Sequence, residues 1–189
     1  METKAEILTL LRQYIEQYAN EQNELKEIYS FVENHYGKQL FDRKNFNGHI
    51  TTSAFIINEN RDRLLLLKHK FLNRWLQPGG HVDSTDTSLI AAAQREGEEE
   101  TGLGSVNLQT VSSKIFDVDS HLIPENKKKQ EFAHTHHDIR FLFQSSTSTI
   151  SIADEESTGS KWVLLTDLRA NEAFSRVAKK IDLLSFAIH

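Results

Sequence analysis

The chain has 189 residues, with 22 Lys+Arg against 27 Asp+Glu, a net charge of −5, and no cysteine. The missing cysteines exclude disulfides, thiolate nucleophiles, Cys-ligated zinc and iron–sulfur clusters, so any reactive centre must use oxygen and nitrogen side chains. The longest unbroken apolar run, Leu89–Ala93, has five residues, far short of a membrane span, and a net negative chain is a poor general binder of nucleic acid.

The length suits one domain with an appendage. The N-terminal stretch METKAEILTL lacks the pattern of a signal peptide, so the expected location is cytoplasmic. Residues 1–46 read as helical. Ile7, Leu8, Leu11, Tyr14, Ile15 and Tyr18 recur at spacings of three and four, and Leu25, Ile28, Phe31, Val32 and His35 repeat the pattern. Gly37 is the expected stop. Two such helices make a hairpin that must pack on something: a brace or lid on the main domain, with a homodimer interface as the alternative.

From residue 50 the texture changes. Thr51–Ile57 and Leu64–Leu67 read as strand, turn and strand around Asn58-Glu59-Asn60. Pro78-Gly79-Gly80 reads as a loop. Residues 88–101 read as a helix, with Thr87 or Ser88 as N-cap and Gly102 as the stop. Strands are expected near 106–118, 138–144 and 161–165, a solvated loop over PENKKKQE, and a closing helix near 172–186. The predicted class is α+β, an α/β/α sandwich around a mixed sheet, divided into a helical extension over 1–46 and a main domain over 47–189.

The chemistry concentrates in Gly79–Leu103. Glu96, Glu99 and Glu100 stand at i, i+3 and i+4, on one face of the predicted helix. Carboxylates so placed repel, and a hard divalent cation relieves that repulsion. A solvated acidic face is the bland alternative. The wider window resembles the Nudix box, whose pattern is G, five residues, E, seven residues, then R-E-U-x-E-E-x-G-U with U aliphatic. Gly80, Arg95, Glu96, Glu99, Glu100, Gly102 and Leu103 match it. Three departures stand out. One extra residue lies between Gly80 and Arg95, placed in the Asp83–Asp86 loop. Thr87 takes the slot of the isolated glutamate that orients the arginine, leaving Asp86 or Asp83 to substitute. Gly97 stands where an aliphatic residue packs, at a helix-propensity cost of roughly 1 kcal/mol.

The resemblance implies a hydrolase that cleaves the diphosphate linkage of a nucleoside diphosphate joined to another moiety, with Mg²⁺ or Mn²⁺ as cofactor. It implies Glu96, Glu99, Glu100 and the Gly80 carbonyl as metal ligands. Arg95 positions a carboxylate, and the base is a box glutamate such as Glu99 or a later residue such as Glu155 or Glu156. The partner so implied is a small nucleotide or diphosphate. Beyond the box, His134, His136, Asp138 and Arg140 would share one strand face, with His137, Ile139 and Phe141 on the other. The polar row, with His81, suits substrate phosphate or a second metal in the active-site cleft. Trp75 and Phe71 are candidates to stack on a base, or core residues. Three alternatives are weighed. An isoprenoid diphosphate isomerase of similar fold depends on a cysteine that is missing here. A non-catalytic ligand-binding or regulatory module usually loses box carboxylates that this chain keeps. An RNA 5′-end pyrophosphohydrolase needs a basic track, and Lys127–Lys129 supply only a short one.

Overall fold

The computed structural model describes residues 1–127, 130–152 and 157–186. The architecture is α+β, with eight strands in a mixed sheet, an N-terminal pair of helices and further helices beyond it. No helix among the described residues is long and apolar enough to cross a membrane. The chain divides into two compact units, Met1–Ser53 with Gly79–Arg95 and Ser112–Phe141, and Ala54–Pro78 with Glu96–Val111 and Leu142–His189.

In the first unit, α1 (Lys4–Gln17) opens on a capping box in which Thr3 and Glu6 satisfy each other's backbone N–H groups. Its stripe Ile7, Leu11 and Tyr14 is buried, as are Ile28, Phe31 and Val32 of α2 (Lys26–Asn34). The Tyr14 hydroxyl donates to the buried Glu21 carboxylate between the two helices. α2 lies on the main body of this unit, where Phe31 stacks on His137 with ring centroids 4.5 Å apart. The helical reading of 1–46 runs too long. α2 stops at Asn34, Gly37 opens a 3₁₀ turn over Gly37–Leu40, and 41–48 is turn. Asp42 and Asn45 side chains accept backbone N–H groups there, at Lys44 and Asn47, offering the chain an alternative to helix.

Strand β1 (His49–Ile57) follows, and its first half pairs with β4 (Gly79–His81) in the register Thr51↔His81 and Ser53↔Gly79. The Gly79-Gly80 pair is therefore strand, not the loop its composition predicts. A Cβ on Gly79 would lie 2.3 Å from Ser53 Oγ and 2.7 Å from Ser53 Cα, so only glycine admits this close pairing. Further along, β6 (Asp117–Ile123) pairs antiparallel with the first half of β7 (His134–Ser145), placing Asp117 opposite Arg140, Asp119 opposite Asp138 and His121 opposite His136. The helix α3 (Leu89–Thr101) begins in this unit and ends in the other.

In the second unit, the end of β1 turns through Asn58–Arg61 into β2 (Arg63–His69), which pairs with β3 (Arg74–Leu76) and β8 (Ser157–Leu164). β5 (Leu108–Thr110) pairs with the end of β7. The expected strand over 106–118 is thus two strands separated by the Ser112–Ser113 turn region. A short α4 (Leu165–Leu168) precedes α5 (Ser175–Phe186), which buries Val177, Ala178 and Ile181.

Gly97 has its explanation here. A Cβ on it would meet Leu108 Cδ2 at 3.2 Å and Ala54 Cβ at 3.3 Å. The missing side chain lets α3 lie closer to β1 and β5 than an aliphatic residue permits. Replacing Gly97 by Leu regains about 1 kcal/mol of helix propensity but forces a side chain into filled space. The net effect expected is a loss of about 1–3 kcal/mol, read as a lower urea midpoint at unchanged m-value. An unshifted midpoint contradicts this packing account.

Candidate functional site

Helix α3 carries the acidic face. Its N-terminus is capped twice: the Ser88 hydroxyl accepts from Ala91 N at 3.2 Å, and the Glu2 carboxylate accepts from Leu89 N at 2.9 Å. Leu89, Ala92 and Ala93 form its buried stripe. Glu96 and Glu100 are half-buried and Glu99 is exposed. Their spacing of one helical turn puts the three carboxylates side by side along the helix. This is a set of hard oxygen donors, accessible to solvent, of the chemistry that Mg²⁺ and Mn²⁺ take. The helix stops at Gly102, where φ is +67°.

Arg95 fixes the approach to that face. Its Nε donates to Asp86 Oδ1 and its Nη2 to Asp86 Oδ2, both at 3.0 Å. The same Nη2 donates to the His81 carbonyl oxygen at 2.9 Å. Asp83 is left at 3.8 Å on the exposed side. Of the two aspartates the sequence offers as substitutes, Asp86 makes the fork–fork pair. The one-residue insertion forms a tight turn in which Asp86 N donates to Asp83 O at 3.0 Å and Asp83 N to Asp86 Oδ2 at 2.7 Å. Burial pushes the Asp86 carboxyl up, but the Arg95 fork and the Asp83 amide outweigh it and hold the group below its ordinary pKa.

Histidines gather in the first unit. His49 of β1, His81 of β4, and His134 and His136 of β7 stack within ring-centroid distances of 4.6–5.4 Å. His81 Nε2 lies 3.1 Å from His49 Nε2, and His134 Nε2 lies 3.1 Å from His136 Nε2. His49 is fully buried. Burial first, then the neighbouring His81 and His134, lowers its pKa to about 4. Burial and the surrounding histidines lower His136 to about 2. The Asn45 backbone lies close enough to favour a proton on His49, yet His49 Nδ1 makes no hydrogen bond. Sequence reasoning names His81, His134 and His136 but misses His49. Position 49 opens a long apolar strand, and only the β1–β4 pairing carries it to His81.

The other end of the same strand face is an ion network. Arg140 donates from Nε to Asp138 at 2.7 Å, from Nη1 to Asp117 at 3.1 Å and from Nη2 to Asp119 at 2.9 Å. Asp138 also accepts from the Ser53 hydroxyl at 2.8 and 2.9 Å. Burial pulls the guanidinium pKa down, and the three carboxylates outweigh it and raise the value. Asp138 and Arg140 thus bond each other within a buried network, where the sequence suggests contact with substrate. Sequence reasoning also misses Asp117 and Asp119, although Asp117-x-Asp119-x-His121 has the same period of two. His137, on the opposite face, receives the Phe31 ring.

In the second unit, Trp75 is half-buried on β3 with Lys161 Nζ 4.1 Å from its ring centroid. Phe71 is exposed. Glu155 and Glu156 lie outside the described residues, as do Lys128 and Lys129.

Comparison with known proteins identifies the family. The NUDIX domain family model matches residues 48–183. A Lactococcus lactis subsp. cremoris (strain MG1363) protein named Probable DHNTP pyrophosphohydrolase is 29% identical over 136 residues, covering 72% of this chain and 77% of that one. Among solved structures, a C. elegans Ap4A hydrolase binary complex aligns with a TM-score of 0.54 at 18% identity, over 74% of this chain and 96% of that one. The E. coli dihydroneopterin triphosphate pyrophosphohydrolase aligns with a TM-score of 0.51 at 16% identity, over 71% and 92%. The chain belongs to the Nudix family. It is a hydrolase acting on pyrophosphate bonds, of a family that generally uses a divalent metal.

The Arg140 network makes a stability prediction. Arg140→Met leaves three carboxylates, two of them buried, without their shared cation. The expected loss is about 3–5 kcal/mol, measured by denaturant unfolding at neutral pH. A loss below about 1 kcal/mol would show that the network is solvated and contributes little.

Proposed function

We propose that this protein is a divalent-metal-dependent pyrophosphohydrolase whose substrate is a nucleoside diphosphate linked to a further group, or a related heterocycle bearing a phosphate chain. The observation that carries this reading is the three-carboxylate face of α3, with Arg95 pinned by Asp86 at its start. The relatives support the substrate class. One is named for DHNTP, and the solved structures are an Ap4A hydrolase and a dihydroneopterin triphosphate pyrophosphohydrolase. Each name joins a heterocycle to a run of phosphates.

Glu96, Glu99 and Glu100 would hold Mg²⁺ or Mn²⁺. Bound there, the cation neutralises the phosphate chain, polarises phosphoryl oxygens and lowers the pKa of a bound water. Water adds to one phosphorus, the P–O–P bridge breaks, and two phosphate-bearing products leave. The proton from water passes to a carboxylate, Glu99 or Glu156. Arg95 does not touch substrate in this scheme. It holds the loop after Gly80 against the first turns of α3. The exposed part of the Trp75 ring is a stacking platform for the base, with the Lys161 ammonium adding attraction for phosphate. His81, His134 and His136 bind substrate or a further cation, while Asp138 and Arg140 stiffen the strand that bears them. Residues 1–46 are an appendage whose helices brace the 47–189 domain.

The test is a substrate panel of nucleotide sugars, dinucleoside polyphosphates, dihydroneopterin triphosphate and nucleoside triphosphates, assayed with Mg²⁺ and with Mn²⁺. At least one member should be hydrolysed, and Glu99→Gln should lower kcat by about 10³-fold or more, a barrier increase of about 4 kcal/mol. An unchanged rate in a folded Glu99→Gln variant would exclude the carboxylate assignment. Tight binding of a panel member without turnover by the wild type would make the protein a ligand-binding module instead.

A further inference from the structure

The first unit carries a histidine cluster that contains no carboxylate of α3. One ring nitrogen from each of His49, His81 and His136 lies within 4.8 Å of the other two. The three come from separate strands, β1, β4 and β7, so the convergence is a product of the fold and not of local sequence. Two imidazole nitrogens bound to one tetrahedral zinc, at about 2.0–2.1 Å each, stand roughly 3.3–3.4 Å apart. The His49 and His81 Nε2 atoms already stand at 3.1 Å.

Proton bookkeeping points the same way. His134 Nδ1 lies 2.6 Å from the Phe132 carbonyl oxygen, which can only accept, so Nδ1 carries the proton. His134 Nε2 lies 3.1 Å from His136 Nε2, so a fourth ring nitrogen borders the cluster. His49 is more constrained still. It is fully buried, its Nδ1 has no hydrogen-bond partner, and its Nε2 faces another imidazole nitrogen. With the proton on Nε2, a buried lone pair is left unused at Nδ1. With the proton on Nδ1, toward the Asn45 backbone, Nε2 presents a lone pair to the cluster. Native interiors rarely leave such groups without a purpose.

We infer that His49, His81 and His136 form a three-nitrogen site for a late first-row divalent cation, with Zn²⁺ as its representative and a fourth position open. Imidazole selects zinc and its neighbours, whereas Mg²⁺ and Ca²⁺ take oxygen. Three protein ligands with an open position is the pattern of a zinc that meets water or a ligand, not of a closed structural zinc. His134 borders the three, its Nε2 3.1 Å from His136 Nε2 and its ring held by the Phe132 carbonyl oxygen. None of the three ligands is a box carboxylate, so this site stands whether or not the proposed hydrolysis is correct.

The experiment uses the full chain, stripped of metal by chelator dialysis and then titrated with Zn²⁺ and, in parallel, with Co²⁺. Retained metal is measured by elemental analysis after gel filtration, and the Co²⁺ form by its visible absorption. Wild type and Glu99→Gln should each retain about one equivalent of Zn²⁺, and bound Co²⁺ should show the intense visible bands of a four- or five-coordinate site. His81→Gln and His136→Gln should bind Zn²⁺ about 100-fold or more weakly, at or beyond the limit of outer-shell changes. Should His136→Gln fail to fold, His81→Gln decides the question alone, with folding checked by circular dichroism. The inference is overturned if the wild type retains no Zn²⁺, or if the folded histidine variants retain it as wild type does. It is equally overturned if Glu99→Gln abolishes binding.

Discussion

The bidentate pair between Arg95 and Asp86 is the constraint on which the candidate site depends. Three glutamates on one turn of helix oppose one another, and the helix bearing them must still be held in one register. Arg95 donates twice to Asp86 and once to the His81 carbonyl. The guanidinium thereby ties β4 and the loop after it to the middle of α3. The pair is partly shielded from water, so its charge-assisted hydrogen bonds retain more of their strength than an exposed ion pair would.

A second arginine organises the rest of the first unit. Arg140 gathers Asp117, Asp119 and Asp138, and the Ser53 hydroxyl joins from β1. The polar face of β7 is thus divided by chemistry. Its later residues neutralise one another within the strand layer, and its earlier ones, His134 and His136, meet His49 and His81 ring to ring. Burying so many polar groups is costly, and such networks are retained where geometry has to be specific. The brace formed by α2 fits this picture, since Phe31 covers His137 on the opposite face of the same strand.

Much of this is legible in the sequence, and the failures have physical causes. The i, i+3, i+4 glutamates require only helical periodicity, and the alternation His134, His136, Asp138, Arg140 requires only the pleat of a strand. Ser88 and Gly102 mark the ends of α3 through cap chemistry. What cannot be read depends on partners far away in the chain. Gly79-Gly80 carries a turn signal, and only its tight pairing against Ser53 makes it strand. Gly97 looks like a defect until Leu108 and Ala54 are seen to fill the space. Nothing in the sequence chooses between Asp83 and Asp86, because the turn that buries one and exposes the other is a tertiary outcome. His49 looks like the first residue of an ordinary buried strand.

The most direct measurement of the central claim is the Mg²⁺ dependence of hydrolysis in Asp86→Ala, on whichever substrate the wild type cleaves. Asp86 is not itself a proposed ligand, so its loss should loosen the ligand set without removing a ligand. The expected result is a folded variant that needs about 10–100-fold more Mg²⁺ for half-maximal rate, with much of the rate regained at saturating cation. A variant whose Mg²⁺ dependence matches the wild type would contradict the claim, and would mean that the α3 carboxylates are held in place by something other than Arg95.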